Sequence, residues 1–232
     1  HTELTLAIIL LLLSGCDAAP DSATLLANAA AAQDRGDHRA AVIELKNLLQ
    51  AQPEHREARW RLGSIYLQLG QGRAAVKELE RAQRLGHSSE ELLVALLRAR
   101  MMLGRFKEVL GTLSTMQGVR TNENLLVLRA QAQIGLLRPD AAARTFKAVL
   151  KMQPSSLQAQ RGLAHVALFK RDFEAANTHI ARSIETSRDD LQSWLLKGEL
   201  ELSRGQFADA LSAFTAAERL LAQSAAVRIG LV

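Results

Sequence analysis

A unit of about 34 residues recurs along most of the chain, and this periodicity restricts the possible folds more than any other feature of the sequence. Three stretches align with one another: GDHRAAVIELKNLLQAQP, GQGRAAVKELERAQRLG and GQFADALSAFTAAERL. If units start at residues 22, 56, 90, 123, 157 and 191, successive starts lie 34, 34, 33, 34 and 34 residues apart. We therefore divide residues 22–224 into six repeats.

Residue type is restricted at three positions of each unit. Position 24 is always large and apolar, whereas positions 8 and 20 are small except in repeat 3, which has Leu97 and Val109. The small residues are Ala29, Gly63, Ala130, Ala164 and Gly198 at position 8, and Ala41, Ala75, Ala142, Ala176 and Ala210 at position 20. Small residues let two helices approach closely, and large apolar residues fill the space beside them. The pattern predicts two antiparallel helices per repeat and no strands.

Position 15 marks the turn between the two helices of a unit. It is glycine in four repeats, which suits a left-handed helix C-cap: Gly36, Gly70, Gly104 and Gly205. Repeat 4 has Leu137 instead, and there we expect Pro139-Asp140 to make the turn in its place.

This pattern resembles the tetratricopeptide repeat (TPR) superfamily. The resemblance implies an all-α fold, a right-handed TPR superhelical solenoid of about six helix-turn-helix repeats, and a role in protein-protein interaction. Residues 225–232 resemble the start of a truncated seventh repeat, so we expect the natural protein to carry more repeats.

Three further stretches resemble the N-terminal part of the TPR lipoprotein family of PEP-CTERM systems. They are Ile43-x-Leu45-Lys46-Asn47, Ala58-Arg59-x-x-Leu62-Gly63-x-x-Tyr66-Leu67 and Lys77-Glu78-Leu79. That family occurs beside exosortase and exopolysaccharide genes in Gram-negative bacteria. The resemblance implies a scaffold that contacts polysaccharide-secretion machinery.

The N-terminal segment has the features of an export signal. Residues 4–13 form an uncharged apolar run of signal-peptide length, and Leu13-Ser14-Gly15-Cys16 follows at its end. This motif resembles the bacterial lipobox, which implies that Cys16 receives a diacylglycerol and becomes the first residue after cleavage. We assign 1–15 to a signal peptide with a truncated start and 16–21 to a lipidated tether. A non-lipidated signal or an incidental cysteine is the alternative.

The TPR resemblance also predicts where a partner binds. In that superfamily the first helix of each repeat lines a concave face through positions 2, 5, 9 and 12. Positions 5 and 12 are mostly apolar here and position 9 is polar, which suits an apolar or amphipathic peptide. The candidate groove residues are Trp60, Ser64, Leu67, Val94, Arg98, Met101, Val127, Gln131, Ile134, Arg161, His165, Leu168, Leu195, Glu199 and Leu202.

Trp60 is the best candidate anchor of this set, because large aromatic side chains are frequent hot spots of protein interfaces. Arg98, Arg161 and His165 could instead meet an acidic polysaccharide or a carboxylate. The alternative for positions 5 and 12 is simple packing against neighbouring helices.

The sequence contains none of the common motifs of catalytic, metal-binding or phosphate-binding sites. The six histidines include no HExxH motif and no pair four residues apart, and no GxxxxGK[ST], GxSxG or GxGxxG motif occurs. We therefore predict no enzyme activity, no metal and no cofactor. The net charge of +5 is mild and no long run of like charges occurs, so we predict no nucleic-acid partner.

Three functions remain open. The first is an envelope scaffold that faces the periplasm, anchored by lipid to the inner or outer membrane of a Gram-negative cell. The second is a TPR lipoprotein of another envelope machine, for outer-membrane protein assembly or pilus biogenesis. The third is a cytosolic adaptor for acidic C-termini, which is disfavoured because Arg98 and Arg161 lie two repeats apart.

Overall fold

A computed structural model describes residues 21–228, and these form twelve α-helices and one short 3-10 helix. No strand occurs among them, which confirms the predicted all-α fold. The helices are α1 (Ser22–Asp34), α2 (His38–Ala51), α3 (Arg56–Gln68), α4 (Gly72–Arg84), α5 (Glu90–Met102), α6 (Phe106–Thr115), α7 (Glu123–Gly135), α8 (Pro139–Met152), α9 (Leu157–Phe169), α10 (Phe173–Thr186), α11 (Leu191–Ser203) and α12 (Phe207–Arg228). The 3-10 helix, Val119–Thr121, lies between α6 and α7.

The helices come in pairs, and the odd-numbered helix opens each pair. These first helices begin at Ser22, Arg56, Glu90, Glu123, Leu157 and Leu191. Polar side chains cap many of the helices; Asp37 Oδ1, for example, accepts a hydrogen bond of 2.9 Å from Ala40 N. None of the helices in residues 21–228 is both long and apolar enough to cross a bilayer.

The first compact unit is His1–Leu92, and its described part contains α1–α4. Its core includes Leu25, Ala29, Ala41, Leu45, Leu48, Ala58, Leu62 and Ile65, all buried. One ion pair joins α3 to α4: Arg59 Nη1 donates to Glu78 Oε2 over 2.6 Å, with only 8% of the Glu78 side chain exposed.

The second unit is Leu93–Val232, and it contains most of α5 and all of α6–α12. Leu97 and Val109, the two exceptions of repeat 3, are both fully buried in the larger of its hydrophobic clusters. A smaller cluster includes Ala164, Ala176, Ile180 and Leu200. The residue at position 24 occupies the space beside the small residue at position 8, as the sequence predicts: a methyl group added at Gly63 would meet Leu79, and one added at Gly198 would meet Phe214.

The turn inside repeat 4 differs from the expectation. Leu137 itself adopts the left-handed conformation, with φ 55°, and Pro139 only begins α8. Arg171 does the same in repeat 5, with φ 58°, at the position where the other four repeats have glycine with φ between 70° and 76°. The turn thus requires a left-handed residue at position 15 whatever its side chain, because only that geometry brings the second helix back along the first.

The last helix continues past the sixth repeat. Helix α12 runs without a break to Arg228 and is 22 residues long. Residues 225–228, predicted to open a seventh repeat, are helical and continuous with α12, and the seventh repeat stays a prediction. Residues 229–232 lie outside the described residues.

Candidate functional site

Three adjoining recesses lie along the first helices of the second unit, and we call the surface that they form the groove. The first recess, about 530 Å³, lies between α5 and α7 and reaches Gln158 of α9. The second, about 220 Å³, extends from α7 across α9 to α11. The third, about 50 Å³, lies at the ends of α7 and α9. Neighbouring recesses share lining residues: Gln131 and Gln158 line the first two, and Ile134 and His165 line the last two.

Exposed amide side chains recur at equivalent places along the groove. Asn124, Gln158 and Gln192 are each separated by 34 residues, so they occupy position 2 on three successive first helices. Gln131 stands between the first two. All four are exposed, and none of the four side chains hydrogen-bonds to another described residue. They leave a row of free donors and acceptors directed at solvent or at a ligand.

Apolar side chains form the floor and one rim of the groove. Met101 and Met102 line the first recess, and the ring of Phe146 lines the second. Phe169, 63% exposed, lines the third. Methionine side chains adapt readily to different partners, so this floor can receive apolar side chains of varied shape.

Arg161 is held by an acidic partner rather than free in the groove. Its Nη1 donates to Asp190 Oδ1 over 2.8 Å and to Oδ2 over 3.2 Å. The same carboxylate caps α11 by accepting from Ser193 N over 3.0 Å. Arg161 therefore fixes the start of α11 and adds little net charge to the groove. This ion pair argues against the prediction that Arg161 binds an acidic ligand.

His165 lies at the meeting point of the second and third recesses and is exposed. Desolvation by the surrounding helices lowers its pKa, the nearby carboxylate of Glu199 opposes this change, and Arg161 reinforces it. The result favours a neutral imidazole, which can donate one hydrogen bond and accept another.

The structure brings six of the predicted residues into the groove: Arg98, Met101, Gln131, Ile134, Arg161 and His165. Val127 is only 2% exposed and belongs to the core, while Val94 and Leu168 pack against hydrophobic clusters. Leu195, Glu199 and Leu202 line none of the three recesses. For Val94, Val127 and Leu168, packing is the role that the contacts support.

The three candidates of the first unit all lie on α3. The ring of Trp60 stacks on His87, with centroids 5.0 Å apart and planes inclined by 18°. Ser64 Oγ donates to the Trp60 carbonyl over 2.9 Å, and Leu67 is half-buried. The Trp60 indole N–H is buried without a hydrogen-bond partner among the described residues. The Trp60 ring therefore packs against another residue of its own unit.

The position-2 amides are among the groove residues that the sequence analysis did not name. The sequence did contain evidence for them. Position 2 belongs to the concave face of the TPR superfamily, and Asn124, Gln158 and Gln192 repeat with the period of the chain. Phe146 could not be identified, because its position predicts only core packing.

Two other predictions concern sites of a different kind. No group of three metal-binding side chains occurs within residues 21–228. The lipobox residues Leu13, Ser14 and Gly15 and the lipidation site Cys16 lie outside the described residues, so lipid attachment stays a prediction.

Comparison with known proteins agrees with this architecture. Two tetratricopeptide repeat profiles match the chain, one over residues 32–92 and the other over residues 127–168 and 161–225. A search of curated proteins finds no match.

Solved structures share the fold at low sequence identity. PilW, described as a widely conserved type IV pilus biogenesis factor, has TM-score 0.67 and 16% identity over 84% of this chain and 91% of that one. A tetratricopeptide repeat protein from Parabacteroides merdae ATCC 43184 has TM-score 0.64 and 20% identity over 89% and 88%. YrrB, described as a TPR protein with an unusual peptide-binding site, has TM-score 0.56 and 18% identity over 75% and 90%. With its profile matches covering more than half of the 232 residues, the chain belongs to the tetratricopeptide repeat family.

Proposed function

We propose that this protein is a non-catalytic scaffold of the cell envelope that binds a partner segment along the groove of its second unit. The observation that carries the proposal is the row of unpaired amides, Asn124, Gln131, Gln158 and Gln192, beside an apolar floor. A peptide backbone offers N–H and C=O groups in alternation, and a side-chain amide can pair with either. Apolar side chains of the same peptide would enter the recesses around Met101 and Ile134.

The charges of the groove favour an uncharged or weakly charged segment. Arg161 is neutralised by Asp190, and the pKa of His165 is lowered toward the neutral imidazole. Arg98 is the one candidate cation of the groove with no ion pair among the described residues. This distribution disfavours the strongly acidic peptides that a cytosolic adaptor for acidic C-termini would bind.

Site-specific photo-crosslinking tests the groove. We would place a photoreactive residue at Gln131 in cells and combine it with Gln158→Ala and Gln192→Ala. A discrete crosslinked partner should form, and the double substitution should strongly reduce it. Gln83→Ala is the matched control, because Gln83 is an exposed amide on α4 of the first unit. Equal crosslinking in the groove variant and the control would contradict groove binding.

The proposal places the scaffold at a membrane through lipid on Cys16. The support is the sequence Leu13-Ser14-Gly15-Cys16 at the end of an apolar run. Each buried methylene of an acyl chain contributes about 0.8 kcal/mol, so two or three chains give stable anchoring. Metabolic labelling with a fatty-acid analogue should label the wild type and not Cys16→Ala; equal labelling would disprove lipidation at this residue.

Within the envelope, we propose a role in a PEP-CTERM and exopolysaccharide system, on the sequence resemblance described above. A second candidate is pilus biogenesis, because PilW, a type IV pilus biogenesis factor, has the same fold over 84% of this chain. Deletion of the gene distinguishes the two. Loss of surface polysaccharide or of PEP-CTERM protein export with normal pili supports the first, and loss of pili with normal polysaccharide supports the second.

A further inference from the structure

Positive charge is concentrated in one stretch of the chain. Residues 93–171 contain 13 Lys and Arg against 3 Asp and Glu, whereas residues 21–92 contain 10 of each. Residues 172–228 contain 6 Lys and Arg against 9 acidic residues. Although the net charge of the chain is only +5, residues 93–171 are strongly basic; they comprise α5 from residue 93 onward and all of α6–α9.

The three acidic residues of this segment are already engaged. Glu108 lies 3.9 Å from both Arg100 and Arg105, Glu123 accepts a hydrogen bond of 2.6 Å from Ser156, and Asp140 is paired with Lys170. Among the side chains that the structure describes, these contacts leave most of the cations of the segment without an ion pair.

Four of these cations share one region, which we call the basic patch: Arg129 on α7, and Arg144, Lys147 and Lys151 on α8. Arg144, Lys147 and Lys151 are exposed and follow one another at helical spacings of three and four residues, so they form a stripe on α8. None of the four belongs to an ion pair of the described part of the chain.

A recess of about 460 Å³ lies within the basic patch, at the seam between α7 and α8. Arg129 and Arg144 line it from the two helices, together with a hydrogen bond of 2.9 Å from Thr145 Oγ1 to Gln133 Oε1. Ala141 and Ala148 leave room between them. The recess therefore offers two planar guanidinium groups, which match the geometry of a carboxylate.

This recess is separate from the groove. The two share no lining residue, and on α7 the recess uses Leu126, Arg129 and Gln133 while the groove uses Asn124, Leu128, Gln131 and Ile134. At about 3.6 residues per turn, these two sets lie on opposite sides of the helix. One helix can thus contact two different partners at the same time.

The charge of the basic patch makes a small contribution to the pKa of two neighbouring groups. The pKa of His179 on α10 is lowered by burial first, and then by Arg182 and Lys147. The pKa of Asp140 is lowered mainly by its contact with Lys170 and slightly by Arg144. A ligand that brings negative charge to this surface would relieve the repulsion among its cations.

We propose that the basic patch binds an acidic protein segment, with one carboxylate in the recess between α7 and α8 and others along the stripe of α8. Arg129 and Arg144 line the recess from two different helices, which suits a single carboxylate of a protein segment better than a flat bilayer surface. No aromatic side chain lines the recess, so it has no platform on which a sugar ring or a nucleic-acid base could stack. This site is independent of the groove, and neither proposal requires the other.

Fluorescence anisotropy with a labelled decaglutamate peptide and the full chain tests this proposal. The double variant R144Q/K151Q should lose roughly fivefold to tenfold in affinity, since each exposed ion pair contributes a fewfold. The control variant R73Q/K77Q removes two exposed cations from α4 of the first unit and should change the affinity by less than about twofold. Raising the salt from about 50 mM to about 500 mM should weaken the wild-type complex.

Several outcomes would overturn the proposal. They are equal losses in the two double variants, absence of binding at low salt, or tighter binding of polygalacturonate or of phosphatidylglycerol vesicles than of the peptide. Gln158→Ala should leave peptide binding unchanged, and a loss there would assign the peptide to the groove instead. Circular dichroism of each variant checks that the helices are retained, and because all five substituted residues are exposed we expect unchanged spectra.

Discussion

Gly162→Ala should destabilise the second unit, although the same substitution usually stabilises a helix. Gly162 lies inside α9 and faces the ring of Phe146 on α8. A methyl group at residue 162 would come closer than 3.0 Å to the ring carbons Cε1, Cε2 and Cζ of Phe146. Phe146 is only 1% exposed and belongs to the larger hydrophobic cluster, so neighbouring side chains enclose its ring except where the ring lines the second recess.

Two opposing terms determine the magnitude of this effect. Replacing glycine by alanine in a helix interior contributes about 1 kcal/mol of stability. Overpacking a core by one methyl group costs about 1–3 kcal/mol. The clash involves three ring atoms, so we expect the upper part of that range and a net loss of about 1–2 kcal/mol. The displaced ring would also narrow the second recess, which it lines, and therefore weaken partner binding in the groove.

Urea unfolding followed by circular dichroism measures this loss, with Gly111→Ala as the matched control. Gly111 lies inside α6, is exposed, and has no atom within 4 Å of an added methyl group. The control should therefore gain about 0.5–1 kcal/mol. If Gly162→Ala had the same free energy of unfolding as Gly111→Ala, the result would contradict the close contact between α8 and α9. Phe146→Leu should restore part of the stability of Gly162→Ala but not that of the wild type.

Three further predictions concern a turn, an ion pair and a titrating side chain. Leu137→Gly should raise the free energy of unfolding by about 0.5–1 kcal/mol, because Leu137 has φ 55° and is 75% exposed; a decrease would mean that its side chain makes a stabilising contact. Glu78→Gln should cost about 2–3 kcal/mol, because it leaves the Arg59 charge largely buried, whereas Glu54→Gln, at an exposed pair, should cost less than about 0.5 kcal/mol; equal costs would contradict the burial. The pKa of His179 is lowered from 6.5 in the folded state, so the unfolded chain takes up the proton first and stability should decrease as the pH falls below 6.5. His179→Gln should reduce this slope in urea titrations at several pH values, and an unchanged slope would show that His179 does not carry it.

The sequence alone was sufficient to predict the helix pairs. Small residues at positions 8 and 20 and large ones at position 24 recur because each repeat solves the same packing problem with its own residues and its immediate neighbour. Ala130 and Ala142, for example, are fully buried with Phe146, which follows directly from their spacing. Such local rules can be inferred from the sequence alone, since the packing partners of each residue lie within about one repeat of it along the chain.

The same rules could not separate binding residues from packing residues at the candidate site. Val127 and Arg161 both occupy position 5, yet Val127 is buried in the core and Arg161 pairs with Asp190 of the following helix pair. The spacing places both on the same side of a first helix and says nothing about what the next repeat brings to it. The position-2 amides recur with the period of the sequence. That their side chains lack hydrogen-bond partners is visible only in the folded structure.

The sequence therefore determined the family, the helices and the periodic positions that line a surface. Only the tertiary structure decided which cations lack an ion pair and which two of them line the same recess. Lys170 is paired because Asp140 lies beside it in the fold, 30 residues away in sequence. Arg129 and Arg144 share a recess because α7 and α8 pack together. The physical reason is that charge neutralisation depends on distances of a few ångströms between side chains, which repeat periodicity does not specify.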